Sequence, residues 1–179
     1  MKARAVVLFA IVAGLAAAAG VAYHLWSRAS GAGPSRVPDA VVERVLSARV
    51  ADVKGGTQNL EQWRGQVLVV NYWATWCAPC REEIPGFVRL QERYGSRGLQ
   101  LVGIAIDQPD KVAEFASEFR INYPLLLGGL ETIELLRQAG NRSGVLPYTL
   151  VIDRKGNLVS REHGGLKEAK LERTLLPLL

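Results

Sequence analysis

Val67-Leu68-Val69-Val70-Asn71-Tyr72-Trp73-Ala74-Thr75-Trp76-Cys77-Ala78-Pro79-Cys80-Arg81-Glu82-Glu83 decides how the rest of the chain is read. It begins as a short β-branched apolar run, the pattern of a strand buried on both faces. It then passes through two tryptophans into Cys-Ala-Pro-Cys and the acidic start of an amphipathic helix. No other cysteines occur in the 179 residues, so this pair is the whole thiol inventory. Two thiols three residues apart at a helix N-terminus can close a small disulfide. The unpaired N–H groups and positive dipole of that helix end favour a thiolate on the first cysteine.

Blander readings of the pair are inert packing, half of a metal site, or a purely structural bridge. A zinc site needs four ligands, and the two histidines, His24 and His163, are isolated and far from the cysteines in sequence. A structural bridge usually closes a longer loop than this one. The strand–Cys-x-x-Cys–helix context is the specific feature, and it ranks redox chemistry first. No metal ligand set and no cofactor is expected.

Working outward, an apolar fraction of 49% supports a real core, and the length suits one domain with additions. The net charge of +5 is unevenly placed: six of the 22 basic and two of the 17 acidic residues lie within the first 49 positions. The remaining 16 and 15 nearly cancel, so no basic face for nucleic acid exists on the main body. Nucleic-acid binding is rejected as the function.

Lys2 and Arg4 precede an uncharged stretch from Ala5 to Trp26. As a helix its roughly 22 residues would extend about 33 Å, enough to cross a bilayer. Tyr23 and Trp26 fall where an aromatic belt would sit, and the leading positive charges favour an internal N-terminus with the domain outside. The competing reading is a cleaved signal peptide, since Ala16 to Ala19 offers small residues for processing. The apolar run is longer than a usual signal core, so residues 1–27 are read as an uncleaved anchor. On either reading the domain is exported, where a disulfide can persist.

Residues 28–49 read as a linker with a short helix, Pro38 to Ala48, after an Asp39 cap. The remainder, 50–179, is read as one domain. Gly55-Gly56-Thr57 suggests a β-hairpin within Val50 to Leu60, ahead of the strand Val67 to Trp73. After the cysteines a helix carries Ile84, Phe87, Val88 and Tyr94 on one face and ends at Gly95 or Gly98. A buried strand Leu99 to Asp107 and a helix Pro109 to Arg120 follow. Ile121 to Leu127 reads as a strand interrupted by Pro124, and so placed at a sheet edge. Leu130 to Ala139 is helical. Pro147 to Asp153 and Leu158 to Arg161 form a hairpin, and Leu166 to Leu179 closes the chain as a helix. The expected fold class is therefore α/β, a central mixed sheet with helices on both faces and the cysteines at its carboxyl end.

Asn71 through Pro85, and a second block from Gly144 through Gly156, resemble the thioredoxin superfamily, most closely its membrane-anchored TlpA/ResA-like branch. The likeness extends over roughly Val50 to Leu179. It implies a thioredoxin-like fold with an N-terminal β-hairpin and an extra strand–helix insert, here Ile121 to Ala139. It also implies that Cys77 is the nucleophile and that Cys80 resolves the mixed disulfide. Pro147 matches the family's cis-proline, beside which Leu146 offers free backbone to substrate; the plainer reading of Pro147 is the first residue of a strand. Trp73 and Trp76 are expected to pack around the disulfide, with Trp76 and Pro79 as an apolar lip for substrate. Pro85 matches a helix-kinking proline.

Two departures sharpen the resemblance. Cytoplasmic thioredoxins carry an aspartate where this chain has Asn71, which cannot titrate. The ResA-like branch places a glutamate three residues after the second cysteine, and Glu83 stands there, one turn from Cys80. The resemblance makes Glu83 the proton partner; the alternative is that Glu82 and Glu83 merely complement the helix dipole. Ala78-Pro79 lacks the histidine of strongly oxidising relatives, which implies a potential nearer about −270 mV than −120 mV.

The reading that follows is a membrane-tethered disulfide reductase in the bacterial inner membrane, facing the periplasm or cell exterior, or a secreted periplasmic form after cleavage. By the resemblance, its substrates are exported apoproteins, such as apocytochrome c or the copper-site cysteines of oxidases. Its electrons would come from an integral membrane thiol carrier. Two alternatives remain: a Cu(I)-binding assembly module using Cys77 and Cys80, and a peroxiredoxin-like thiol peroxidase, for which the expected upstream proline and threonine spacing is missing. His163 is read as a solvated loop residue.

Overall fold

The computed structural model describes residues 40–179 and, before them, only Gly14, Gly20 and Val21. Apart from those three residues, the expected anchor over 1–27, the tether that follows it and the Asp39 cap therefore lie outside the described residues. Among the described residues no helix is long and apolar enough to cross a membrane.

The elements run α1 (Ala40–Ser47), β1 (Val50–Asp52), β2 (Thr57–Gln58), a 3-10 turn (Leu60–Trp63), β3 (Val67–Trp73) and α2 (Ala78–Tyr94). Then come β4 (Leu99–Ala105), α3 (Pro109–Glu118), β5 (Leu125–Leu127), α4 (Leu130–Gln138), β6 (Tyr148–Ile152), β7 (Leu158–His163) and α5 (Glu168–Leu175). All seven strands form one sheet in the order β2-β1-β5-β4-β3-β6-β7. The β3–β4 and β4–β5 pairs are parallel and the others antiparallel, so the sheet is mixed as expected.

Period-two alternation divides β3 between two cores. Val67, Val69 and Trp73 face one layer, with Ile84, Phe87 and Leu90 of α2, Val112 and Phe115 of α3, and Leu171 and Leu175 of α5. Leu68, Val70 and Tyr72 face the other, with Val42, Val45 and Leu46 of α1 and Leu136 of α4. At roughly 2 kcal/mol for each large apolar side chain removed from water, these layers fix which way every strand faces. The helix after the cysteines ends as the glycines suggest: a 3-10 turn begins at Gly95, and Gly98 takes the left-handed φ of 90°.

One strand expectation is corrected. β5 does not lie at an edge; it sits between β1 and β4. Pro124 stands just before the strand, so its missing N–H removes no ladder bond, and its carbonyl accepts the Gly103 N–H at 3.0 Å. The N-terminal hairpin covers the side that the proline had suggested was bare, pairing Ala51 with Leu127. His163 is corrected too. It is the last residue of β7, with its ring 4.8 Å from that of Tyr148, not a loop residue.

Candidate active site

Two periodicities meet at the carboxyl end of β3. On the strand, Asn71 shares a face with Val69 and Trp73, under α2. On the helix, Cys80, Glu83, Ile84 and Phe87 form the buried stripe at three- and four-residue spacing. Glu83 is thus turned toward the sheet, where β3 and β6 pair Asn71 with Thr149. Three buried polar residues are brought together among apolar neighbours.

Cys77 and Cys80 are joined in a disulfide with their Cα atoms 5.3 Å apart. Cys77 is the N-cap of α2, and its carbonyl accepts the Arg81 N–H at 3.2 Å. Pro79 sits in the first turn, where its ring suits the helix start and no intrahelical N–H is lost. Cys80 is fully buried, and Cys77 retains 6% of its surface. Cys77 is therefore the more accessible of the two.

The tryptophans part company. Trp73 is buried in the core with both cysteines, its ring 5.0 Å from Phe115. Trp76, by contrast, is 69% exposed. The turn at Ala74 and Thr75 carries its ring out of the core and leaves a flat apolar surface beside Cys77.

Glu83 accepts two hydrogen bonds, from the Asn71 Nδ2 to Oε1 and from the Leu166 backbone N–H to Oε2, both at 2.8 Å. Asn71 Nδ2 also donates to Thr149 Oγ1 at 3.0 Å. Turning its amide this way leaves Asn71 Oδ1 buried without a partner among the described residues. That arrangement costs about 1–3 kcal/mol, a mark of how firmly the carboxylate holds the amide. Burial pushes the Glu83 carboxyl up to about 7 from an ordinary 4.5, and the bonds from Leu166 and Asn71 restrain the rise. Dipole complementation does not explain it. α2 starts at Ala78, so Glu82 and Glu83 lie beyond its first turn; Glu82 points to solvent and Glu83 inward. Glu83 also lines a cavity of about 320 Å³, with Pro79, Gly86, Gly165 and Leu166.

Register places the second block. Tyr148 pairs with Tyr72, so Pro147 falls one residue beyond, beside the end of β3 and the approach to Cys77. The Leu146–Pro147 bond is cis. Leu146 packs against the layer that holds both cysteines, and a Cβ on Gly165 would stand 3.4 Å from the Pro79 ring.

Several residues at the site escaped the sequence reading. Thr149 and Leu166 complete the Glu83 cage. Asp107, just past β4, accepts from the Thr75 N–H at 3.0 Å and from the Thr75 hydroxyl, and so holds the turn before Cys77. Burial alone would raise the Asp107 carboxyl, but hydrogen bonds from Thr75 and Gln108 keep it below its ordinary value. Asn141 is fully buried and bonded to the loop before Pro147. An acid closing a strand at the carboxyl edge was a usable signal for Asp107. Partners contributed by backbone, or from residues 78 and 83 positions away, leave no local pattern. Among the described residues no group of three or more His, Cys, Asp or Glu side chains is placed to hold a metal ion.

A Cys-x-x-Cys disulfide capping a helix on a parallel strand, with a cis-proline loop alongside, is the thioredoxin arrangement, and the enzyme class it defines is thiol–disulfide oxidoreductase. Relatives agree. The chain is 29% identical to the thiol-disulfide oxidoreductase ResA of Geobacillus kaustophilus over 127 residues, 70% of this chain and 71% of that one. It superposes on a thiol:disulfide interchange protein of the thioredoxin family from Chlorobium tepidum with a TM-score of 0.67 and 30% identity, covering 73% of this chain and 92% of the other. A secreted Mycobacterium tuberculosis disulfide oxidoreductase shares the fold at 16% identity and a TM-score of 0.66, over 76% and 98% of the two chains. Residues 36–161 match the AhpC/TSA family, and the chain belongs to it.

Proposed function

We propose that the protein reduces disulfides in exported proteins, working from the outer side of a bacterial inner membrane to which residues 1–27 tether it. The observation that carries this reading is the buried Glu83, one helical turn from Cys80, with its carboxyl pushed up to about 7. A carboxylate that titrates near neutrality can take a proton from a thiol and return it, whereas one at 4.5 is a weaker base.

The chemistry runs in two exchanges. The Cys77 thiolate, favoured by the α2 dipole, attacks a substrate disulfide, forming a Cys77–substrate bond and releasing one substrate thiolate. Cys80 then gives its proton to Glu83 and attacks the Cys77 sulfur. The mixed disulfide breaks, the second substrate thiolate leaves, and the enzyme is left with its disulfide. The substrate gains two electrons and, from Glu83 and solvent, two protons. Glu83 exchanges its proton through the cavity it shares with Pro79 and Gly165. Trp76, Pro79, Leu146 and Pro147 form the surface that receives the substrate chain.

Direction is supported by Ala78-Pro79, which leaves the Cys77 thiolate without a stabilising histidine and favours a reducing potential. The uncharged stretch from Ala5 to Trp26 supports the tether. The resemblance to the ResA-like branch supports apocytochrome c or copper-site apoproteins as substrates and an integral membrane thiol carrier as donor. A Cys80→Ser chain in cells tests the reading, because the mixed disulfide on Cys77 can no longer resolve. Mass spectrometry should find exported proteins attached to Cys77. A Cys77 that alkylates readily yet captures no protein would sink the substrate assignment.

A further inference from the structure

The loop from Gly140 to Pro147 is held by one buried side chain. α4 ends in a Schellman turn: Gly140, at a left-handed φ of 107°, donates to Arg137, and the Asn141 N–H reaches the Leu136 carbonyl at 3.0 Å. Asn141 is thereby anchored to the strand–helix insert, with no exposed surface of its own. Its side-chain amide acts as a substitute strand. Nδ2 donates to the Val145 carbonyl at 2.8 Å, and Oδ1 accepts from the Val145 N–H at 3.1 Å. The Asn141 carbonyl accepts from the Gly144 N–H at 3.2 Å, closing the ring.

The effect on the neighbours is specific. Both backbone groups of Val145 are used internally, while its side chain stays 48% exposed. Pro147 has no N–H, and its carbonyl accepts from Gly164 at 2.9 Å. Among the described residues, no hydrogen bond engages either backbone group of Leu146. One residue, flanked by two saturated ones, presents a donor and an acceptor, and it packs against the cluster that holds Cys77.

We propose that Asn141 is a positioning residue for substrate: by saturating Val145 it holds the Leu146 N–H and C=O in place to pair with an extended peptide segment next to the disulfide being reduced. This rests on the protein-reductase reading above. It assigns the insert a function, since α4 supplies the anchor from which Asn141 reaches the rim. The site's ligand is a backbone, so it accepts many sequences provided the segment is extended.

The test compares two disulfides on the reduced full chain: a peptide with two cysteines two residues apart, and bis(2-hydroxyethyl) disulfide, which has no backbone to pair. Asn141→Asp keeps the shape but sets an oxygen against the Val145 carbonyl. It should raise the half-saturating peptide concentration about tenfold, the upper worth of one hydrogen bond, and change the limiting rate and the small-disulfide rate by less than about twofold. The pH profile of Cys77 alkylation should not move. Equal losses on both substrates, or no loss on the peptide, overturn the proposal. A wild-type chain that reacts no faster with the peptide than with the small disulfide overturns the reductase reading beneath it. Should the variant not fold, hydrogen exchange on Cys80→Ser protein decides. The Val145 amide should be protected throughout, and the Leu146 amide should gain protection only when peptide is trapped on Cys77. An unchanged Leu146 amide contradicts the proposal.

Discussion

Asn71 and Asn141 are both buried amides, yet they serve different parts of the site. Asn71 lies under α2 and faces a carboxylate; its bonds go to groups that carry or shape charge. Asn141 lies in the loop ahead of Pro147 and bonds both backbone groups of Val145 and the Ser143 hydroxyl; its bonds fix where other atoms stand. On the proposed reading, the interior side of the site handles a proton and the outer side holds a shape. Changes under the helix should therefore alter pH dependence, and changes at the rim should alter substrate affinity.

The largest effect expected is at the shared element. Cys77→Ser should bring disulfide reduction down to the uncatalysed rate in a turnover assay, since the remaining thiol, Cys80, is fully buried. Glu83→Gln comes next. It keeps the hydrogen-bonding shape but cannot take the Cys80 proton, so resolution of the mixed disulfide should slow by about 10²-fold. Rapid-quench kinetics should also show the inflection near pH 7 lost, with attack by Cys77 almost unaffected. A Glu83→Gln protein that keeps the inflection would assign it to another group.

The interior also makes a stability prediction. Glu83 binds its proton more tightly folded than unfolded, at about 7 against 4.5. The stability it contributes is complete below about 4.5 and is lost as pH rises through about 7. Melting temperatures of the oxidised wild type should fall across that window relative to Glu83→Gln, and the two should run parallel outside it. Smallest is the rim. Trp76→Ala removes an exposed ring, so melting should be unchanged, while the half-saturating concentration of a protein substrate should rise several-fold.

The same division governs what the sequence made legible. The interior was readable because it is periodic: Val67 to Trp73 alternates across two cores, and Cys80, Glu83, Ile84 and Phe87 recur at helical spacing. Glu83 could be singled out one turn from Cys80 through the resemblance. Asn71 was noticed there only for lacking a titratable group, and its grip on Glu83 depends on the sheet bringing Thr149 alongside. The rim was less readable. Asn141 sits in Gly-Asn-Arg-Ser-Gly, which reads as a turn, and nothing local announces that its amide is buried. Pro124 misled for a similar reason. A proline inside an apolar run suggests an edge, but Pro124 stands one residue before β5, where its missing N–H breaks no ladder bond. Trp76 differs from Trp73 only by the turn between them, which no periodicity encodes.

The central claim is that a buried carboxylate titrating near neutrality lies one turn from the resolving cysteine. Carbon-detected NMR titration of the Glu83 side-chain carboxyl in the oxidised protein tests this most directly. The account predicts a midpoint at about 7; a midpoint at the ordinary 4.5 would contradict it.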